Sequence, residues 1–196
     1  YSPLFDIQVL SPGRKGDLGS LVLNQKLQQA INPPSPGKKE WKVNGVILRE
    51  GDKVMQIRNN YDIVWEREDG STGEGVFNGD VGILTRIDKA ASAVVVQFDD
   101  RMAVYEMENA DDLELAYAMT VHKSQGSEFE AVAMPMSPGP RQLYYRNLLY
   151  TGVTRAKSLL IMVGVRRTVA VMVENNRRTK RYSGLYPFLL RGGQDE

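Results

Sequence analysis

Leu159-Leu160-Ile161-Met162-Val163-Gly164-Val165 is an unbroken apolar run of seven residues. A strand wetted on one face alternates apolar with polar, so an unbroken run predicts a parallel-sheet strand covered on both faces. Elements on either side agree. The segment Arg141 to Ala156 before it reads as a helix and its end. The segment Thr168 to Asn176 after it places Val169, Met172 and Val173 at helical spacing. Further upstream, Glu130-Ala131-Val132-Ala133-Met134-Pro135-Met136 is a second buried-strand candidate. At the far end of the chain, Phe5-Asp6-Ile7-Gln8-Val9-Leu10 reads as a strand stopped by Ser11-Pro12-Gly13. A glycine-rich loop from Gly13 to Gly19 carries Arg14 and Lys15, and Ser20 suits a helix cap. The helix after it presents Leu23, Leu27 and Ile31 on one face and stops at Asn32-Pro33-Pro34, since proline has no N–H to donate. Strands alternating with helices in this way predict a parallel α/β layer.

The middle of the chain has a different texture. Ser35 to Lys39 looks like a linker, and from about Val43 to Met107 the apolar runs become short and alternating. They are Val54–Arg58, Gly82–Ile87, Ala93–Phe98 and Met102–Tyr105, with turn signals at Glu68-Asp69-Gly70, Asn78-Gly79-Asp80 and Asp99-Asp100. Asp69-Gly70 and Asn78-Gly79 supply the positive φ that tight turns need. Short strands at this spacing predict a small antiparallel barrel inserted into the parallel layer. The expected division is 1–42 with 109–196 for the α/β part and 43–108 for the insert.

Composition narrows the chemistry. The chain has 196 residues, 25 Lys and Arg against 24 Asp and Glu, and no cysteine. Disulfide scaffolds, cysteine-ligated zinc and thiol nucleophiles are excluded. A net charge of +1 argues against holding nucleic acid by bulk charge alone. No apolar run approaches the ~20 residues of a membrane span, and no signal peptide is evident, so a cytoplasmic location is expected. The first residue is Tyr1 rather than Met, which suggests a piece of a longer protein.

Two polar segments stand just before predicted strands. Thr120-Val121-His122-Lys123-Ser124-Gln125-Gly126-Ser127-Glu128-Phe129 gathers hydroxyls, a lysine and an accessible glycine backbone, a set suited to phosphate oxygens. Tyr150-Thr151-Gly152-Val153-Thr154-Arg155-Ala156-Lys157 places an arginine at a helix end, where its planar fork can grip a phosphate. Taken singly, His122 also fits a structural histidine, Arg155 a surface ion pair, and the Arg177–Arg181 run a solvated face. Residue types and spacing alone reach a phosphate-binding α/β domain with a small β insert.

The order of the segments adds more. Ala116–Phe129 resembles motif V of RecD-like superfamily 1 DNA helicases, and Leu149–Lys157 resembles their motif VI. Gln8–Gly16 with Leu23-Asn24 is similar to the motif IV region. Asn175-Asn176 and Arg181–Leu185 resemble the family's C-terminal end. Gly13 departs from the family, where Met is common, and so does Gly152, where Ala is common. The resemblance implies a second RecA-like motor domain of P-loop NTPase type, interrupted by an SH3-like barrel thought to help hold or separate DNA strands. It implies ATP and Mg²⁺ bound mainly by a first motor domain that is absent here, and single-stranded DNA crossing both domains.

That first domain's signature is missing. No Gly-x-x-x-x-Gly-Lys-Ser/Thr occurs, Gly73-Glu74-Gly75 fails the pattern, and Asp99-Asp100 fits a hairpin turn better than a Mg²⁺ site. No metal-ligating set is expected in the chain. The resemblance therefore implies a C-terminal helicase fragment that does not hydrolyse ATP alone. Within it, Arg155 is implied as the arginine finger, Arg14 as a second γ-phosphate contact, and Glu128 and Gly126 as nucleotide contacts. Thr120, His122, Lys123, Ser124 and Gln125 are implied as the DNA-facing group. Translocation from 5′ to 3′ is expected by analogy. Two other readings stay open: a non-catalytic nucleic-acid-binding module, and an interaction subunit of a nuclease–helicase complex. Tyr61, Trp65 and Phe77 are expected to fill the barrel core rather than stack on bases.

Overall fold

Proline-glycine punctuation and the apolar strands between produce two large sheets and a two-stranded one in the computed structural model, which describes residues 1–139 and 142–176. The Arg177–Arg181 run and the Arg181–Leu185 segment lie outside the described residues. The chain opens with β1 (Ile7–Ser11) and α1 (Ser20–Ile31). An antiparallel series follows: β2 (Glu40–Val43), β3 (Val46–Arg49), β4 (Lys53–Gln56), β5 (Asn60–Arg67), β6 (Thr72–Val76), β7 (Val81–Asp88), β8 (Ala93–Phe98), β9 (Arg101–Glu106) and β10 (Leu113–Leu115). The chain then returns through β11 (Ala118–Thr120), β12 (Phe129–Met136), α2 (Arg146–Val153), β13 (Ala156–Gly164) and α3 (Arg166–Glu174).

The first and last parts make one parallel sheet of order β11-β1-β12-β13. Its register sets Ser11 opposite Thr120 and Ile7 opposite Ala131. Leu10, Val132, Met134, Leu148 and Met172 form its buried core. The insert is a seven-stranded antiparallel sheet of order β10-β4-β7-β8-β9-β5-β6, with the β2–β3 hairpin beside it. It curls around Leu48, Val54, Leu84, Ile87, Val96, Phe98 and Tyr105. Antiparallel pairing extends from Glu40 to Leu115, wider at both ends than the 43–108 pattern, because β2 and β10 are too short to register as periodic runs. The turn expectations hold: Gly70 and Gly79 have φ of 80° and 101°, and Asp99 turns β8 into β9 with φ 47°.

Three local expectations are corrected. Among the described residues the Leu159–Val165 run is not covered on both faces: β13 is an edge strand there, and Ile161, Met162 and Val163 are 43, 44 and 63 % exposed. Ser20 does not cap α1; Gly19 occupies the cap position without any side-chain bond. A Cβ at Gly19 would lie 2.5 Å from the Arg14 carbonyl oxygen, so glycine is required by close approach of the loop. Leu27 and Ile31 of α1 pack against the insert's core as the apolar pattern predicts, and a second stripe of buried polar residues, Asn24, Gln28 and Asn32, runs beside them. The helix predicted from Arg141 is shorter, beginning at Arg146 after an extended Tyr145.

Candidate nucleotide and nucleic-acid interface

The segment after β11 has a distinctive course. It leaves the carboxyl end of β11 and enters β12 at its amino end, so it runs the height of the sheet. Its first half is a tight turn. Thr120 Oγ1 accepts from the Lys123 amide at 3.3 Å, and Ser124 Oγ donates to the Val121 carbonyl at 2.8 Å. Ser124 is fully buried, so the DNA contact expected of its side chain is not available in this structure; it staples the turn instead. His122, Lys123 and Gln125 are exposed around that staple, and His122 Nε2 lies 3.3 Å from the Tyr145 hydroxyl. Gly126 closes the turn at φ 90°, a conformation that disfavours any Cβ.

The second half approaches the other end of the sheet. Arg155 caps the approach to β13, and its carbonyl accepts from the Phe129 amide at 2.8 Å. Its guanidinium donates to Ser127 O at 2.9 Å, Thr151 O at 3.2 Å and Thr154 Oγ1 at 3.3 Å. All three acceptors are neutral, and among the described residues no carboxylate pairs with it. The surface ion-pair reading of Arg155 finds no partner among the described residues. A half-buried cation, held in one orientation with N–H groups to spare, is arranged for an anion supplied from outside. Glu128, next in the chain to Ser127, is exposed.

Arg14 does not lie at the Arg155 end. It follows β1 at the carboxyl end, where its guanidinium pairs with Glu114 at 2.8 Å. Lys123 holds the other oxygen of the same carboxylate at 3.2 Å. Ser11 stands about six residues further along the strands than Phe129, roughly 20 Å at a strand's rise. The structure thus groups Arg14 with the 120–125 turn and separates it from Arg155, so the pair expected on one γ-phosphate is not brought together. Beside Arg14, the Gly13–Gly19 loop encloses, with Ser137, Pro138, Gly139, Leu143 and Tyr144, a cleft of about 260 Å³ that includes Lys15.

Aromatic expectations divide. Trp65 lies against the core, with the guanidinium groups of Arg67 and Arg101 over its ring at 4.8 and 5.6 Å from the centroid. Tyr61 and Phe77 instead stand outside, 65 and 42 % exposed, in an edge-to-face pair at 5.8 Å. No helix among the described residues is long and apolar enough to cross a membrane, and none of them cluster as a metal site.

Comparison with known proteins agrees with this arrangement. Residues 23–98 match the ATP-dependent RecD-like DNA helicase SH3 domain, and residues 115–163 match the UvrD-like helicase C-terminal domain. The chain is 34 % identical over 160 residues to an ATP-dependent RecD2 DNA helicase of Deinococcus radiodurans, covering 81 % of this chain and 20 % of that protein. It is 37 % identical over 178 residues to the RecBCD enzyme subunit RecD of Mycobacterium tuberculosis, covering 91 % of this chain and 28 % of that one. The chain therefore spans less than a third of these relatives. Among solved structures, a Pif1 helicase studied at forked double-stranded DNA shares 17 % identity and a TM-score of 0.56, over all of this chain and 45 % of that one. A Pif1 helicase from Candida albicans shares 13 % identity and a TM-score of 0.54, over 97 % of this chain and 50 % of that one. These two show the same α/β fold. With an SH3 domain inside a helicase C-terminal domain, and relatives aligned across most of its length, the chain belongs to the RecD-like DNA helicase family.

Proposed function

We propose that this chain is the second motor domain and barrel of an ATP-dependent DNA helicase, the expected division of 1–42 with 109–196 and 43–108 widening to a barrel whose paired strands run from Glu40 to Leu115. It couples ATP hydrolysis to movement along single-stranded DNA and to duplex unwinding. The observation that carries this is the 120–128 segment, which presents His122, Lys123 and Gln125 at one end of the sheet and tethers Arg155 through Ser127 O at the other. A single rigid segment touching both ligands is what coupling requires. Arg155 acts as the finger on a γ-phosphate held mainly by a first motor domain. Bound ATP supplies the phosphoanhydride bond whose cleavage drives the cycle. This chain's share of its site fits a phosphate at Arg155; among the described residues no three acidic or histidine side chains gather to hold a metal, and Mg²⁺ is assigned to the other domain. Alone, the chain does not hydrolyse ATP. Arg14 belongs with the DNA contacts rather than the nucleotide.

In the whole protein, Arg155→Ala lowers DNA-stimulated ATP hydrolysis by about 10³-fold or more, the range for arginine fingers, while affinity for single-stranded DNA is kept. Turnover at the parent rate would remove Arg155 from this role. A nucleic-acid-binding module without catalysis is a second reading, favoured by the exposed Tyr61–Phe77 pair. It requires salt-sensitive DNA binding by this chain that survives His122→Ala and is lost in Tyr61→Ala. Partnership with nuclease–helicase subunits is the third expectation, since RecBCD subunits are among the relatives.

A further inference from the structure

Asp52 is fully buried where the two sheets meet, and its carboxylate is saturated with donors. Oδ1 accepts from Asn32 Nδ2 at 2.7 Å and from the Tyr117 hydroxyl at 2.8 Å. Oδ2 accepts from Gln28 Nε2 and from the Arg49 amide, both at 2.6 Å. Gln28 and Asn32 sit on and just after helix α1 of the parallel layer. Arg49 ends a strand of the insert, and Tyr117 lies in the two-residue link from β10 to β11. One carboxylate thus gathers the three parts of the molecule that must agree on an orientation.

The same link is gripped at further points. Asn24 Nδ2 donates to Leu115 O and Ala118 O at 2.9 Å each, and Asn24 Oδ1 accepts from the Ala118 amide at 2.7 Å. Gln8 Nε2 donates to Ala116 O at 3.1 Å and Tyr117 O at 3.2 Å. Ala118 is two residues from Thr120, where the segment joining the DNA and nucleotide ends begins. Apolar side chains at these positions would bury as much surface but tolerate rotation. Directional bonds in a dry interior admit one arrangement.

We propose that Asp52 is a positioning residue that makes the barrel a rigid arm of the 120–128 segment, so that motion of the motor domain reaches the DNA fork through the barrel. This rests on the helicase reading above. Asp52 touches neither ligand, and its loss uncouples unwinding from ATP turnover rather than stopping turnover.

The test uses the whole protein. Asp52→Asn sets an amide N–H₂ among converging donors, leaving at least one donor unpaired. Base pairs unwound per ATP are expected to fall about tenfold, in line with one orphaned buried donor. DNA-stimulated ATP hydrolysis stays within about twofold of the parent, because no residue of that site has moved. Hydrogen exchange at the Ala118 amide rises. Pairing Asp52→Asn with Asn32→Asp restores an acceptor opposite the new amide and recovers the coupling. If circular dichroism shows that Asp52→Asn does not fold, Tyr117→Phe, which deletes a single donor, carries the same expectations. Unchanged base pairs per ATP in the folded variants overturns the proposal. So does a parallel fall in hydrolysis and unwinding, which assigns Asp52 to stability alone. A parent protein without DNA-stimulated hydrolysis overturns the helicase reading itself, and is recognised before any variant is compared.

Discussion

Arg155 and Arg14 are the same residue type with opposite settings, and the setting decides what each can do. Arg155 is half-buried, oriented by three neutral oxygens and has no counter-charge among the described residues, so its field is directed outward. Arg155→Lys keeps the charge but cannot span Thr151 O, Ser127 O and Thr154 Oγ1 with one fork. ATP hydrolysis by that variant of the whole protein is expected to fall nearly as far as in Arg155→Ala, read as steady-state rate at saturating DNA. Recovery to within a few-fold of the parent would show that charge alone suffices. Arg14 is half-exposed and shares Glu114 with Lys123. Exposed pairs of this kind are weak, about 0–1 kcal/mol, so a DNA phosphate can displace the carboxylate, which already marks where an anion sits. Glu114→Gln frees both cations. Binding of single-stranded DNA should tighten at low salt, and its log–log salt slope should steepen by about 1.4, near 0.7 for each of the two released cations. An unchanged slope would place both cations off the DNA path.

At the scale of elements, two glycines that look alike in sequence are required for different reasons. Gly126→Ala meets no neighbouring atom but must hold φ near 90°, costing about 1–2 kcal/mol. Gly19→Ala has an ordinary backbone but drives its methyl against the backbone of Arg14 and Lys15, costing about 1–3 kcal/mol. Urea midpoints at constant m measure both; a neutral Gly19→Ala would mean that the Gly13–Gly19 loop relaxes freely. Elements were legible where one physical rule governed them. Ala93–Phe98 matches its strand end to end because it is apolar and lies inside its sheet. The strand Asn60–Arg67 was not legible, since its outer face carries Asp62 and Glu66 and leaves Val64 exposed. Helix α1 was half legible: two stripes of period four run side by side, and hydrophobicity selects only Leu23, Leu27 and Ile31, of which Leu27 and Ile31 do pack on the insert's core. The polar stripe lies inside because its partners are the carbonyls of the β10–β11 link and Asp52, which appear only once distant strands are assembled. The same limit hid the separation of Arg14 from Arg155. Their order along the chain was legible, but which end of the sheet each occupies depends on strand direction and register.

The junction between the sheets also sets how the whole molecule responds to pH. Lys53 is 4 % exposed there, with Nζ 3.2 Å from the Ile7 carbonyl. Burial lowers its pKa from 10.5 to about 8, against the opposing pull of Asp6. A lysine depressed in the folded state binds fewer protons than in the unfolded chain between those two values. Stability therefore rises with pH across that window, by at most about 3 kcal/mol at 1.36 kcal/mol per unit. Tyr105 and Tyr117 act in the opposite sense. Burial chiefly raises both, with Asp80 adding to it at Tyr105 and Asp52 at Tyr117. Their unfolded forms ionise first, so the stability they contribute is present below their ordinary value of 10.0 and lost above it. The two effects together predict a stability maximum near pH 10. Urea midpoints of this chain measured from pH 7 to 11 should climb above pH 8 and then fall. Lys53→Met removes the climb and leaves the fall, because the tyrosines are untouched. A climb that persists in Lys53→Met would assign it to another group, and a flat profile in the parent would mean that water reaches the Lys53 ammonium at the junction.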